Sequence, residues 1–353
     1  MGSPTNALLA PPRVRRGWYI VARSREIGRR PVQRRLFGVP LVVFRDGRGD
    51  VGVLVDRCPH RNVPLSGGRM VEGDLQCPYH GWRFAASGHC TAVPALDGAP
   101  DRAHRASALP VREQQGYVWA WGEPDGDPKG EPWKFALIDE TGYLVVHRSL
   151  EANGTVHAVA ENALDVPHTA FLHGGLFRND QDRNPIRCVV DRHEDHVQCE
   201  YIGEPRPEGL LGRALSPSGG LVEHFDRFFL PSVLQVEYRI GTENHILVTA
   251  ALTPVDDYVT QLHAVVALRT RIPGWLLRPF LTPIVLRVFR QDARVLAQQT
   301  NVIRRFGETR FLSTELDLLG PHIFKLLQRA ERDGLPTPEE AREPTRREVT
   351  MWI

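Results

Sequence analysis

Short apolar and β-branched runs dominate the first third of the chain, and turn signals rich in Gly, Asp and Pro separate them. Runs of this length and spacing predict β-strands joined by tight turns. Residues 1–16 lack any apolar periodicity and contain prolines and arginines, so we expect a mobile arm there. The pattern therefore predicts a compact all-β unit over residues 17–122, with strands at 18–22, 32–37, 41–44, 51–55 and 117–121.

A linker and a second pattern follow. Residues 122–132 contain three prolines and four acidic residues, which is typical of a linker. We therefore place the linker at 123–134 and a second domain at 135–353. Strands are predicted there at 143–149, 155–159, 186–191, 197–201, 233–240, 245–252 and 260–268. Helices at about 283–305 and 321–332 can cover one face of this antiparallel sheet, and the last helix should end the folded part. The predicted fold class is α+β.

Composition narrows the choice of partners. The 353 residues carry a formal net charge of +2, which gives no strong field toward nucleic acid or an anionic membrane. Residues 272–289 are rather apolar, but two arginines and three prolines interrupt them, so we expect no transmembrane segment. A pocket cap and a membrane contact remain alternatives for this segment. Five cysteines, an odd number, and no apolar leader favour a reducing, cytoplasmic location.

Four potential metal ligands lie within a short stretch of the N-terminal unit. Cys58 and His60 form a Cys-x-His pair, and Cys77 and His80 form a Cys-x-x-His pair. Two thiolates and two imidazoles suit a tetrahedral structural zinc ion. The same set also suits an iron-sulfur cluster in which thiolates hold one iron and imidazoles the other. The position of the ligands at strand ends, with a proline after each cysteine, favours the cluster.

A second constellation lies at residues 161–173. Asn162, Asp165 and His168 follow at intervals of three, so on one helix they project from nearly the same face. His173 comes five residues after His168, and about 100° of rotation per residue would turn it away. For both imidazoles to bind one ion, the helix must loosen or end between them, and the glycines at 174 and 175 would stop it. A helix with two incidental histidines is the alternative.

Two histidines and one carboxylate form the facial triad of mononuclear iron enzymes. In the helix after residue 283, the helical period places Asp292 within the apolar stripe. A carboxylate on such a face needs a compensating cation or hydrogen-bond donors, and a metal ion is the natural compensation. The aspartates at 180, 182, 256, 257 and 317 lie in polar segments and are expected to be solvated. The stripe consists of Val285, Val288, Phe289, Val295, Leu296 and Ile303.

These motifs together resemble those of the Rieske non-haem iron oxygenases. The resemblance rests on Cys58-Pro-His-Arg with Cys77-Pro-Tyr-His-Gly-Trp82, and on Asn162-x-x-Asp165-x-x-His168-x4-His173. It extends to Asp292 followed by Val-Leu-Ala-Gln-Gln at 295–299, although Gln291 stands where many relatives carry an acid. It implies a [2Fe-2S] cluster on Cys58, His60, Cys77 and His80, and Fe(II) on His168, His173 and Asp292. The implied fold is a Rieske domain followed by a helix-grip-like catalytic domain.

The resemblance also implies a function. Electrons would pass from a separate NAD(P)H-dependent reductase, directly or through a ferredoxin, to the cluster and then to the iron. There O2 would be reduced and oxygen inserted into a hydrophobic ring substrate by hydroxylation or oxidative demethylation. In relatives the aspartate matching Asp165 bridges to a cluster histidine of the adjacent subunit, which implies a ring of chains, most simply a homotrimer. Asn162 would be a nearby hydrogen-bonding group or helix filler.

Two alternatives come from other classes of protein. One is an electron carrier without oxygenase activity, and the other is a zinc-stabilised binding module. The intact second set of ligands argues against the electron carrier, and the zinc-stabilised module is favoured still less. Several apolar segments could line a substrate pocket or simply pack in the core, so the sequence leaves the substrate open. These segments are 210–211, Phe225, 228–229 and 275–288.

Overall fold

The computed structural model describes residues 11–173, 184–204, 222–242, 244–270, 274–337 and 343–352. Outside these ranges lie residues 1–10 of the predicted arm, the glycines at 174 and 175, the aspartates at 180 and 182, and the leucines at 210 and 211. The chain forms two compact units. One comprises Val14–Lys134 with Thr253–Asp256, and the other comprises the remaining residues. The domain boundaries inferred above stay predictions.

The N-terminal unit consists of small antiparallel sheets. Their orders are β1-β10-β9, β2-β3-β4 and β5-β6-β7-β8. All five predicted strands of this unit are confirmed. The strands are β1 (Trp18–Arg23), β2 (Val32–Leu36), β3 (Val39–Arg45), β4 (Val51–Val55), β5 (Arg69–Val71), β6 (Asp74–Gln76), β7 (Arg83–Phe84), β8 (Cys90–Ala92), β9 (Val111–Gln114) and β10 (Tyr117–Trp121).

Two apolar cores stabilise this unit, one on each face of β3. Because successive side chains of a strand point to opposite faces, Leu41 and Val43 enter one core while Val42 and Phe44 enter the other. This explains why the middle of β3 is continuously apolar rather than alternating. The second core also contains both motif cysteines, together with Leu54, Leu65, Leu75 and Phe84. Core packing therefore fixes the loops that carry the predicted cluster ligands.

The second unit is built on one eight-stranded antiparallel sheet. The strand order is β11-β17-β16-β15-β14-β13-β12-β18. Most neighbours in this order are also neighbours in sequence, as in a meander. The strands are β11 (Leu144–Ala152), β12 (Pro185–Arg192), β13 (His196–Ile202), β14 (Val222–Phe229), β15 (Val233–Ile240), β16 (Asn244–Asp256), β17 (Val259–Arg269) and β18 (Thr345–Trp352).

Helices pack on this sheet, as the sequence predicted. They are α1 (Val156–Leu164), α2 (His168–Leu172), α3 (Gly274–Phe306) and α4 (Gly320–Asp333). Helix α1 contacts β14, β15 and β17, and α4 contacts both α1 and β13. The buried side chains of α4 recur at helical spacing, at Ile323, Leu326, Leu327 and Ala330, so one face of this helix is apolar. No helix of the described part of the chain is long and apolar enough to cross a membrane.

Two secondary-structure predictions are wrong, and one strand was not predicted. Residues 155–159 do not form a strand, because Thr155 caps the N-terminus of α1 and its hydroxyl accepts a hydrogen bond from the Ala158 amide at 3.0 Å. Strand β14 was missed because buried polar side chains interrupt its apolar pattern. The last helix does not end the fold, since β18 pairs antiparallel with β12 along its whole length. Only Val349 and Met351 of β18 are buried, which gives it a weak sequence signal.

Candidate metal centres

Two similar loops carry the Cys and His motifs of the N-terminal unit. Cys58 follows β4, and Cys77 follows β6 directly. Each cysteine amide donates a hydrogen bond within its own loop, to the Val63 carbonyl at 2.9 Å and to the Trp82 carbonyl at 2.8 Å. Both thiols are buried. The backbone of the two loops therefore holds both cysteines in the interior of the unit.

Glycine allows these loops to pack closely. A Cβ on residue 68 would lie 2.0 Å from the carbonyl oxygen of Gln76, the residue before Cys77. No side chain fits in that space. Gly81, next to His80, has φ +73°, a conformation that favours glycine. These two glycines therefore allow a backbone geometry that other residues would prevent.

The two histidines of the motifs are more exposed than the two cysteines. The rings of His60 and His80 have centroids 4.5 Å apart. Trp82 stacks on His60 with centroids 4.8 Å apart and planes 7° from parallel. His60 Nδ1 is buried and makes no hydrogen bond among the described residues. A buried ring nitrogen of this kind fits a metal ligand, because an unsatisfied polar atom is otherwise costly.

The chemistry of the four donors fits a metal centre. Burial, with a contribution from the Cys77 thiol, raises the pKa of Cys58 to about 11. Positive charge from a metal group would be needed to hold it as a thiolate. The two thiols and two imidazoles thus fit the ligand set of a two-iron cluster, in which thiolates hold one iron and imidazoles the other.

The segment with the second set of ligands is broken before its first histidine. Helix α1 ends at Leu164, and Asp165 is extended, with φ −90° and ψ 105°. Helix α2 begins at His168 and ends at Leu172, so that His173 caps it with φ −109° and ψ 26°. Pro167 explains the break, because proline disfavours helical geometry in the residue before it. The prediction that 162, 165 and 168 share one helical face is therefore wrong.

Despite the break, the three predicted iron ligands come together. His168 Nε2 and His173 Nε2 are 3.3 Å apart. Asp292 Oδ1 lies 3.0 Å from His173 Nε2 and 3.6 Å from His168 Nε2. Two ligands each about 2.1 Å from one ion, at near right angles, would be about 3 Å apart. The distances thus match a site for a single metal ion.

Burial makes a cation at this point energetically favourable. The His173 side chain is 1% exposed and that of Asp292 is 18% exposed. Asp292 Oδ1 is buried and accepts no hydrogen bond from the described residues. Although burial lowers it, the carboxylates of Asp165 and Asp292 raise the pKa of His168 to about 9. The site therefore attracts positive charge, and the residues fit a divalent metal.

Neighbouring polar side chains contact the two histidine ligands on the side away from the proposed metal. Asp165 Oδ2 accepts a hydrogen bond from the His168 amide at 3.2 Å and lies 3.4 Å from His168 Nδ1. Gln291 Oε1 is 3.0 Å from His173 Nδ1. Partners of this kind orient metal-bound histidines. Asn162 lies half-buried on the last turn of α1, and no side-chain hydrogen bond is found for it within the described ranges. Sequence reasoning did not anticipate the contact made by Gln291.

Asp292 lies on a buried stripe of α3, as predicted from the helical period. Leu296, Thr300 and Ile303 continue this stripe and are buried. Val295 is not part of it, because its side chain is 38% exposed. The prediction for Val295 is therefore wrong, and the side chain of the valine at 285 lies outside the described part of the chain. Asp257, one of the rejected aspartates, pairs instead with Arg13 at 2.6 Å.

Glu161 is a second residue that sequence reasoning missed. It lies on α1, against Gly320 at the start of α4, where a Cβ on residue 320 would be 1.8 Å from Glu161 Oε1. His157, one turn earlier, has Nε2 2.8 Å from the Gly320 carbonyl oxygen. Burial raises the pKa of Glu161 to about 7, with smaller contributions from Asp317 and Asp165. The contacts of His157 and Glu161 with Gly320 hold the last two turns of α1 against the start of α4, just before the break at Asp165.

Comparison with known proteins identifies the family. Residues 17–108 match the family described as Rieske [2Fe-2S] domain. Residues 152–333, about half of the chain, match the family described as vanillate O-demethylase oxygenase C-terminal domain. The chain belongs to the Rieske non-haem iron oxygenases. The predicted family and fold class are therefore confirmed.

Individual relatives of this Rieske protein cover much of the chain. The oxygenase component of dicamba O-demethylase from Stenotrophomonas maltophilia is 34% identical over 69% of this chain and 63% of the relative. Aminopyrrolnitrin oxygenase from Pseudomonas fluorescens is 32% identical over 78% of this chain and 80% of the relative. The chain thus spans less than two thirds of the dicamba enzyme.

A solved structure shows the same fold. Dicamba monooxygenase bound to 3,6-dichlorosalicylic acid has a TM-score of 0.76 at 24% identity, and the match covers 91% of this chain and 98% of that one. At this level of identity the likeness concerns the fold alone. It supports the arrangement of a small β-sheet unit and a large antiparallel sheet with helices.

The raised pKa of Glu161 predicts a pH-dependent change in stability. The unfolded chain releases this proton near pH 4.5 and the folded chain near pH 7, so the group lowers the unfolding free energy as pH rises through that window. The side chain in Glu161→Gln is neutral at every pH, so we expect the unfolding free energy of this variant to exceed that of wild type by about 1–3 kcal/mol at pH 8. At pH 4.5 we expect little such difference, because Glu161 is then protonated in the folded chain.

Denaturant unfolding at the two pH values measures this difference. Glu315→Gln, at an exposed position of the same unit, is the matched control and should follow wild type at both pH values. An identical pH dependence for Glu161→Gln and wild type would contradict the assignment of a half-buried, protonated Glu161.

Proposed function

We propose that this chain is the oxygenase component of a Rieske-type system. It would use O2 and electrons from a separate NAD(P)H-dependent reductase, directly or through a ferredoxin, to hydroxylate or oxidatively demethylate a hydrophobic ring compound. The observation that carries the proposal is the convergence of two imidazole nitrogens and one carboxylate oxygen at 3.0–3.6 Å. A chain that only transferred electrons would have no need for this second set of donors.

Each proposed cofactor has its own residues. Cys58 and Cys77, with His60 and His80, would hold the [2Fe-2S] cluster. The facial set of His168, His173 and Asp292 would hold one Fe(II). When bound, the cluster supplies single electrons and the iron supplies the centre at which O2 is used. With three protein ligands, such a site leaves positions open for other molecules.

Asp165 would connect the electron donor to the iron site. Its carboxylate holds the His168 amide and lies beside His168 Nδ1, and its side chain is 36% exposed. His80, a proposed cluster ligand, is exposed on the N-terminal unit. Both groups therefore reach the surface, where a second chain could contact them. This supports the proposal of a ring of chains, most simply a homotrimer, in which His80 of one chain faces Asp165 of the next.

Other observations bear on the substrate, the pocket and the location of the proposed system. Relatives named for dicamba, chloroacetanilide and 3-chlorobenzoate favour a hydrophobic ring substrate. Of the predicted pocket residues, Phe228 is fully buried in the sheet, which is core packing, while Phe225 and Phe229 are half-buried. None of the five cysteines, which all lie in the described ranges, forms a disulfide bond, and this supports a cytoplasmic location.

Incorporation of labelled oxygen tests this function. The protein with both metal centres filled, a reductase and a panel of ring compounds would be incubated under ¹⁸O2. We expect label in a hydroxylated product, or formaldehyde from a methylated substrate, only with an intact site. His173→Ala, which removes one of the three donors, should give no product while its cluster is still reduced. Labelled product from His173→Ala at wild-type yield would contradict the proposed site.

Asp165 offers a more specific prediction. Asp165→Asn removes the negative charge beside His168 but keeps a side chain of the same size. We expect both metals and the substrate to bind as in wild type, whereas coupled turnover falls by at least about 100-fold.

Turnover and metal content would be measured on the same preparation. Asp139→Asn, at an exposed position of the same unit, is the control and should keep full activity. Near wild-type turnover of Asp165→Asn at full metal loading would show that Asp165 is not part of the electron route.

A further inference from the structure

The two histidines of the iron site have different partners on their outer nitrogens. His168 Nδ1 faces the carboxylate of Asp165 at 3.4 Å. His173 Nδ1 faces the amide oxygen of Gln291 at 3.0 Å. One partner is thus a partly exposed charge, and the other is a neutral group next to a fully buried ring.

The Gln291 contact fixes the protonation of the His173 ring. An amide oxygen only accepts hydrogen bonds, so Nδ1 must carry the proton and donate it. In a neutral imidazole the other nitrogen then has a lone pair. That nitrogen, Nε2, is the one that faces His168 and Asp292 at 3.3 Å and 3.0 Å. The contact therefore leaves the correct nitrogen available to a metal ion.

The contact between Gln291 and His173 is positioned by helix α3. Gln291 and Asp292 are neighbours on the same helix, so one turn of α3 supplies both a proposed ligand and the partner of another ligand. His173 caps α2, and a residue at a helix end has more conformational freedom than one inside it. A hydrogen bond from α3 limits this freedom and holds the ring toward Asp292.

The negative charge already present at the site explains why a neutral residue such as Gln291 is a suitable partner for His173. The site already has the carboxylate of Asp292 as a ligand and that of Asp165 beside His168. A third carboxylate on His173 would make this ring a stronger base and a stronger donor to the metal. An amide orients the ring without adding negative charge.

We propose that Gln291 is a positioning residue of the metal site, which selects the His173 tautomer that binds the ion and keeps the metal affinity below that of a site with a third carboxylate. This rests on the proposed function, because it assumes that His168, His173 and Asp292 bind a metal. The proposal concerns the affinity of this site for a metal ion, so it can be tested without measuring turnover.

The experiment measures Co²⁺ affinity by competition with a chelator. The full-length protein keeps its cluster, and the mononuclear site is emptied by mild chelation before titration. Gln291→Leu has a similar size but no acceptor, and Gln291→Glu keeps an acceptor and adds charge. Gln298→Leu, at an exposed position of the same helix, is the matched control.

We expect Gln291→Leu to bind Co²⁺ about 10–100-fold more weakly than wild type. Gln291→Glu should bind at least as tightly as wild type, and Gln298→Leu should be unchanged. Rescue by Glu separates the hydrogen bond from general packing, and it can be measured even if the Leu variant does not fold.

Two outcomes would overturn the inference. One is a Gln291→Leu affinity within about twofold of wild type, and the other is an equal loss in the Leu and Glu variants. A wild-type protein that binds no Co²⁺ at this site would instead contradict the proposed function, so the two failures can be distinguished.

Discussion

Three electron-rich atoms held within 3.0–3.6 Å of one another are the central constraint on this structure. Two imidazole nitrogens and a carboxylate oxygen repel each other, and burial removes the water that would reduce the repulsion. A metal ion between them converts this cost into binding free energy. The second unit therefore needs either a metal or a proton at this point, which agrees with the raised pKa of His168.

The surrounding elements keep these atoms in place. Helix α3 supplies Asp292 and Gln291 from one turn, and the break after α1 presents His168 and His173 from the short helix α2. The contact of Glu161 with Gly320 holds the end of α1 against α4. Helix packing thus fixes the positions of the three proposed ligands. Hydrogen bonds to the outer ring nitrogens fix the orientation of the two histidine rings.

The sequence predicted best the features that depend on short-range spacing. The Cys and His pairs predicted a cluster, because both motifs lie at strand ends, and the helical period placed Asp292 on a buried stripe. It did not predict the break at Asp165, because intervals of three are typical of one continuous helix, whereas Pro167 interrupts the helix at this point. Strand β14 was missed because two of its buried residues, His224 and Asp226, are polar. They are compensated by ion pairs, His224 with Glu204 at 2.7 Å and with Asp226 at 3.1 Å, which no local pattern shows.

Iron analysis combined with Mössbauer spectroscopy tests the central claim most directly, namely that one chain holds a cluster and a separate iron. The purified protein should contain close to three irons per chain, two in a cluster with inequivalent sites and one as mononuclear high-spin iron. Asp292→Ala should lose the mononuclear signal alone and leave two irons. Two irons in the wild-type protein under iron-replete conditions, or a third iron that persists in Asp292→Ala, would contradict the assignment of the second site.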